Sequence, residues 1–271
     1  MRRYMVVLLV SLVSYLGPSA GLARAESPIA PPVKPLQNNS QQATVLNSNS
    51  KVDDVLDALQ ADGKNVKSFT ADVKIDEFNT TFQTDALRFG KVWFESKPNG
   101  DPVLHLLMDH KEIAKKQTPE KREYLIEDGW LTDRNYDVKK EVRMQLVPAG
   151  QKVNLFQLGK GPFPLPIGQD RKDVKAEFAV SILAPDKDDP AGTIHLKLVP
   201  LPNSQWAQTF VEVEVWVDLK SNMPVRIFTK DKSTEKTVDL LNLGVNSSIN
   251  PKELALPPLE KGWDSLDKPL K

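Results

Sequence analysis

The chain has 271 residues, enough for one large β domain or two small ones. Its 36 Lys and Arg balance 36 Asp and Glu, which argues against a partner held mainly through charge, such as nucleic acid. Cysteine is absent and histidine occurs three times (His105, His110, His195), which excludes disulfides, thiol nucleophiles and cysteine-borne lipid and makes a His-rich metal site an unfavourable reading.

At the N-terminus, Arg2 and Arg3 precede a nearly continuous apolar run from Val6 to Leu16, and Ala23-Arg24-Ala25 follows as a small-x-small cleavage site. This pattern predicts a secretory signal peptide over residues 1–25. The apolar run is shorter than the roughly 20 residues that span a bilayer. Residues 26–51 are rich in Pro, Asn, Gln and Ser and are expected to form a disordered tether.

Val52, Val55, Leu56 and Leu59 fall at i, i+3, i+4 and i+7, predicting an amphipathic helix with Asp53 and Asp54 at its positive end and Gly63 near its stop. The period then changes to two. Phe69, Ala71, Val73 and Ile75 alternate with Thr70, Asp72, Lys74 and Asp76, the pattern of a half-buried strand. Further strands are expected at about 86–95, 103–109, 123–126, 130–133, 141–147, 178–183, 193–200, 210–219, 225–230 and 237–243, with a short helix at 170–175. Tight turns such as Glu127-Asp128-Gly129 and Lys220-Ser221-Asn222 join consecutive strands, which indicates an antiparallel meander.

Residues 148–175 interrupt this rhythm. In Gly161-Pro162-Phe163-Pro164-Leu165-Pro166 three alternating prolines have no N–H to give a ladder, so the segment is an apolar, stiff loop presenting Phe163 and Leu165. It reads either as a lid or as a plug at the edge of the core. A sheet of about eleven strands curls because each pair adds roughly 20–25° of twist. Phe69, Val73, Ile75, Val142, Met144, Val213 and Val215 are expected to line its concave face, around either an ordinary core or an apolar pocket.

No catalytic constellation emerges. The carboxylate pairs lie on polar helix ends, turns or wet strand faces, and no phosphate loop, metal-ligand spacing or nucleophile elbow is present. His195 alternates outward with Lys197 and is read as structural. No enzyme activity, metal or cofactor is therefore expected.

The order of several motifs resembles the periplasmic outer-membrane lipoprotein-carrier family, LolA-like and LolB-like. A helix leads into Val66-Lys67-Ser68-Phe69-Thr70-Ala71-Asp72. Gly90-Lys91-Val92-Trp93-Phe94 runs into Lys97-Pro98, Asp128-Gly129 precedes Tyr136-Asp137, Asp218 precedes Met223-Pro224, and Leu256-Pro257-Pro258 closes the likeness. The resemblance covers residues 52–258 and leaves 259–271 as a C-terminal tail. It implies a mainly β fold: a single, strongly curved, unclosed antiparallel sheet (a half-barrel) with a helical lid. It also implies a periplasmic carrier of lipoprotein acyl chains or another lipid, with Phe69, Val73, Ile75, Val142, Met144, Phe163, Leu165, Val213 and Val215 as lining residues. The alternative is a protein-interaction or sensor module on the same fold, with an envelope protein as partner. The arginine that the family places after the Lys-Pro turn has no counterpart in Pro98–His105.

Overall fold

Asp54 begins the first helix by accepting a hydrogen bond from the Lys51 amide (2.8 Å), and α1 then runs over Val52–Asn65. One stripe of it, Val55, Leu56, Ala58 and Leu59, is fully buried. The computed structural model describes residues 45–98, 101–151, 153, 155 and 168–270. The expected signal peptide, most of the tether, Phe163 and Leu165 lie outside the described residues.

After α1 come β1 (Ser68–Asn79), β2 (Thr84–Ser96), β3 (Pro102–Ile113), β4 (Lys116–Glu127), β5 (Trp130–Asn135) and β6 (Lys140–Gln145). A short helix α2 (Arg171–Glu177) then leads into β7 (Phe178–Ile182), β8 (Thr193–Pro200), β9 (Glu212–Asp218), β10 (Pro224–Lys230), β11 (Thr234–Val245) and β12 (Asp264–Lys268). All twelve strands form one sheet in the order β12-β6-β5-β4-β3-β2-β1-β11-β10-β9-β8-β7. Every neighbouring pair is antiparallel except β12 with β6. The end strands β12 and β7 do not pair with each other, so the sheet is unclosed, as the sequence resemblance implies.

Two meanders make this order. Strands β1 to β6 step outward from the centre to one edge, and β7 to β11 step back from the opposite edge until β11 lies against β1, with Phe69 facing Val245. The β6–β7 and β11–β12 connections are not hairpins, and their described apolar residues lie on opposite faces. Residues 146–170 place Val153 and Leu155 on the inner face, and residues 246–263 place Leu254 on the outer face against Trp93, Val103 and Leu125.

Local sequence explains the turns and irregularities. Asp128 and Gly129 both have positive φ (49° and 82°), the conformation of a tight β4–β5 turn. Gly90 sits at a register shift between β2 and β3, where a Cβ would lie 1.9 Å from the Leu107 carbonyl oxygen. Asp218 accepts from the Lys220 and Ser221 amides and so closes the β9–β10 turn.

Strand positions follow the period-two reading, with two differences. β4 begins at Lys116, seven residues ahead of the apolar alternation, because Lys116-Gln117-Thr118-Pro119-Glu120-Lys121-Arg122 contains no apolar side chain except Pro119. The segment expected as a tail after Pro258 supplies β12, whose five residues are all exposed and therefore carry no buried pattern.

Candidate functional site

The inner face divides into two apolar clusters with different covers. In one, α1 packs with Val174 of α2 and Phe178 of β7 over Leu196, Leu198, Val213 and Val215, all buried to within about 1% exposure. Arg171 fixes α2 to α1 by pairing with Asp57 at 3.0 Å, and Lys175 does so by pairing with Asp53. That lysine bond is the main reason the Asp53 carboxyl lies below its usual range.

The other cluster is the inner wall of β1–β5: Phe69, Ala71, Val73 and Ile75 from β1, Val92 and Phe94 from β2, Leu104, Leu106 and Met108 from β3, then Tyr124, Ile126 and Leu131. The Phe69 and Phe94 rings stack at 5.1 Å. No helix lies over this half among the described residues; Leu146, Val147, Val153 and Leu155 of the inner connection cover it. The connection is tied to α1 at its far end, where the Gly168 amide donates to the Leu59 carbonyl at 3.0 Å. Gly168 has φ of 67°, a conformation that favours glycine, and lies beside the Gly63 backbone of α1.

Beyond Ile75, Met108 and Tyr124 the wall turns ionic. Arg122 donates two hydrogen bonds to Asp133 (2.8 and 2.6 Å), Lys236 pairs with Glu77 at 3.1 Å, and Arg88 and Lys111 each approach Glu120 at 3.3 Å. The Arg88 approach to Glu120 Oε2 lacks hydrogen-bond geometry, so that buried oxygen has charge neighbours without a donor. Burial pushes the Tyr124 hydroxyl well above its usual range. Burial alone would lower Arg122, but the Asp133 bonds together with the charges of Tyr124, Asp133 and Glu120 outweigh it and hold the guanidinium above its usual range. The cavity within this network measures about 10 Å³, the order of one water centre and far below the 300–1,000 Å³ usual for a ligand pocket. A larger groove of about 360 Å³ lies at the opposite rim, where Asp62 and Val66 face Leu219, Met223 and Val245.

The structure brings Phe69, Val73 and Ile75 together in the wall, with Met144 packed at its margin opposite Leu131. Val142 shares the Met144 face two residues earlier and is half-buried. Val213 and Val215 fall in the other cluster, beneath α1, with no exposure. Sequence reading missed the ionic end of the wall. Its signal was present in the loss of apolar alternation after Ile75 and ahead of Glu123.

The outer face is polar and aromatic. His105 Nδ1 lies 2.7 Å from the Glu253 carbonyl, and its ring stacks on Trp93. Arg134 donates twice to Glu141 and once to the Pro257 carbonyl (2.6 Å), beneath the Trp263 ring. His195 contacts Glu214 and Asp189 and stacks on Trp216. Among the described residues no group of three His, Cys, Asp or Glu side chains is placed to hold a metal ion, and no helix is long and apolar enough to cross a membrane.

No family model and no curated relative matches the chain. Solved structures to which it is similar include an uncharacterized conserved protein from Thermus thermophilus, at 11% identity over 80% of this chain and 98% of that one, with a TM-score of 0.45. A chain of the Pseudomonas aeruginosa MucA/MucB complex is similar at 13% identity over 75% of this chain and 61% of that one, with a TM-score of 0.44. A LolA superfamily protein from Nitrosomonas europaea is similar at 13% identity over 74% and 97%, with a TM-score of 0.33.

Proposed function

We propose that this chain is an exported carrier that shields acyl chains against the inner wall of β1–β5 while they cross the periplasm. The observation that supports this reading is the unequal cover of the inner face: a helix with a fully buried stripe over one half, a connecting segment over the other. The described residues of the connection over this wall, 146–151 with 153 and 155, form no helix or strand, and such segments open at lower free energy than packed helices, so the wall beneath them is proposed as the half that opens to cargo. From Phe69 to Ile75 the wall extends roughly 20 Å along β1, which suits an extended hydrocarbon chain lying along the strands. Each CH₂ hidden there contributes about 0.8 kcal/mol. Cargo enters by replacing Val153 and Leu155 on the wall, and the apolar side chains Phe163 and Leu165 are proposed as further contacts to it. Such a role requires shape and apolar surface and no acid, base or nucleophile.

Binding of a fluorescent fatty acid to the purified full-length mature protein tests this. Leu155→Ala removes a competitor for the wall and is expected to tighten probe binding several-fold, whereas Phe163→Asp weakens it with an unchanged far-UV circular dichroism spectrum. A wild-type protein that takes up no probe, and that carries no lipid in native mass spectrometry after isolation from its own envelope, sinks the proposal.

A protein-docking role on the same fold has one observation in its favour. The ionic end of the wall is filled and self-paired, while the rim groove of about 360 Å³ stands open. Affinity capture from envelope extracts separates the two: one stoichiometric protein supports docking, heterogeneous lipoproteins support carriage.

A further inference from the structure

The outer face of β8–β10 carries a histidine whose two ring nitrogens both face carboxylates. His195 Nε2 lies 3.0 Å from Glu214 Oε2 of β9, and Nδ1 lies 3.4 Å from Asp189 Oδ1 in the loop Leu183–Gly192. The side chain is about nine-tenths buried, and Nδ1 has no hydrogen-bond partner of good geometry. A neutral imidazole has one N–H and one lone pair. In either neutral tautomer, therefore, one nitrogen lone pair points at a carboxylate; only the imidazolium offers a donor to both.

We propose that the loop Leu183–Gly192 is a pH-responsive flap, held closed on the outer face of β8–β10 while His195 is protonated and released when His195 is neutral. Asp189 is the link. Besides facing His195, it accepts from the Trp216 indole at 2.5 Å and from the Asp186 amide at 2.9 Å. The middle of the loop is also tied by the Asp188 carbonyl, which accepts from Arg226 at 2.7 Å, and its ends are held by the Leu183 amide donating to the His195 carbonyl and by the Leu219 amide donating to the Gly192 carbonyl, both at 2.9 Å. The Trp216 ring lies under the His195 imidazole at 3.9 Å and near the Arg226 guanidinium at 5.6 Å, so flap opening uncovers an aromatic surface.

The other charges around the ring come from every neighbouring element: Lys197 on β8, Glu212 and Glu214 on β9, Arg226 on β10, Asp239 on β11, and Asp186, Lys187 and Asp188 in the loop itself. Lys197 is bound by Glu212, which raises its ammonium above the usual range. Burial pushes the Asp189 carboxyl up, but its bonds from the Asp186 amide and the indole, with the nearby His195 and Arg226, bring it below the usual range. Both therefore keep their charge over the range in which an imidazole changes its own, about pH 5 to 8. The sign follows: raising the pH through that range removes the positive charge that faces Asp189 at 3.4 Å and loosens the flap.

Amide hydrogen exchange of the full-length mature protein, normalised to the intrinsic rate at each pH, reads the flap directly. Loop amides of residues 183–192 are expected to exchange several-fold faster at the top of that range than at the bottom, the effect of losing one ion-pair contact, while amides of β8 and β9 hold steady. His195→Gln abolishes the dependence. An equal rise in His195→Gln, or a flat wild-type profile, overturns the proposal. Should that variant fail to fold, ¹⁵N titration of the wild-type imidazole serves instead: a ring midpoint coincident with that of the loop amides supports the flap, and divergent midpoints overturn it.

Discussion

Single atoms fix the sheet at several points, and Gly90 is the tightest. Any Cβ there meets the Leu107 carbonyl oxygen at 1.9 Å, a backbone atom that cannot rotate away. Gly90→Ala is expected to cost about 1–3 kcal/mol by overpacking. Gly244→Ala, whose Cβ meets Thr70 Oγ1 at 3.4 Å, stays within about 1 kcal/mol of wild type, and urea denaturation of the two variants checks the order. The Arg134–Glu141 pair is a second sensitive point because both side chains are over nine-tenths buried. Glu141→Gln leaves a buried guanidinium without its counter-charge and should cost about 3–5 kcal/mol, whereas replacing both residues with apolar ones of similar volume is expected to be close to neutral. A double-mutant cycle in denaturant measures the difference.

Elements with a one-sided burial pattern were legible in the sequence, and elements without one were not. Phe69, Ala71, Val73 and Ile75 announce β1 because their partners Thr70, Asp72 and Lys74 face solvent on the outer side. The first half of β4 is invisible for the opposite reason: its inward side chains, such as Glu120 and Arg122, pair within the ionic end of the wall. Val213 and Val215 show the same alternation as Val73 and Ile75, yet one pair lies under α1 and the other under the 146–155 connection. Periodicity identifies a buried face without identifying what covers it, so half of the candidate wall could be read and its cover could not. β12 pairs through its backbone and through exposed ion pairs, Lys140 with Asp264 and Arg143 with Asp267, and buries no residue of its own. Deleting residues 264–271 is therefore expected to lower stability less than Leu254→Ala, which empties a buried site between Trp93, Val103 and Leu125 at about 2–5 kcal/mol. The reverse order in denaturant midpoints counts against this ranking of the outer strap.

At the scale of the whole chain, neither meander completes its core alone. The N-terminal helix α1 buries its stripe on β8 and β9, and the connection leaving β6 ends against α1 through Gly168. The central ladder joins the first strand to the last of the second meander, from Phe69 opposite Val245 to Asn79 opposite Thr234. Contacts so distant in sequence close late and slowly. The outer ends of these two strands also lie flush, stitched by Asn246 to the Lys67 amide and by Ser68 to the Ser247 carbonyl. Tension drawing residues 67 and 247 apart thus pulls across the rungs and not along the strands. The seam parts like a zipper, one rung at a time, at a lower force than shearing the same ladder lengthwise.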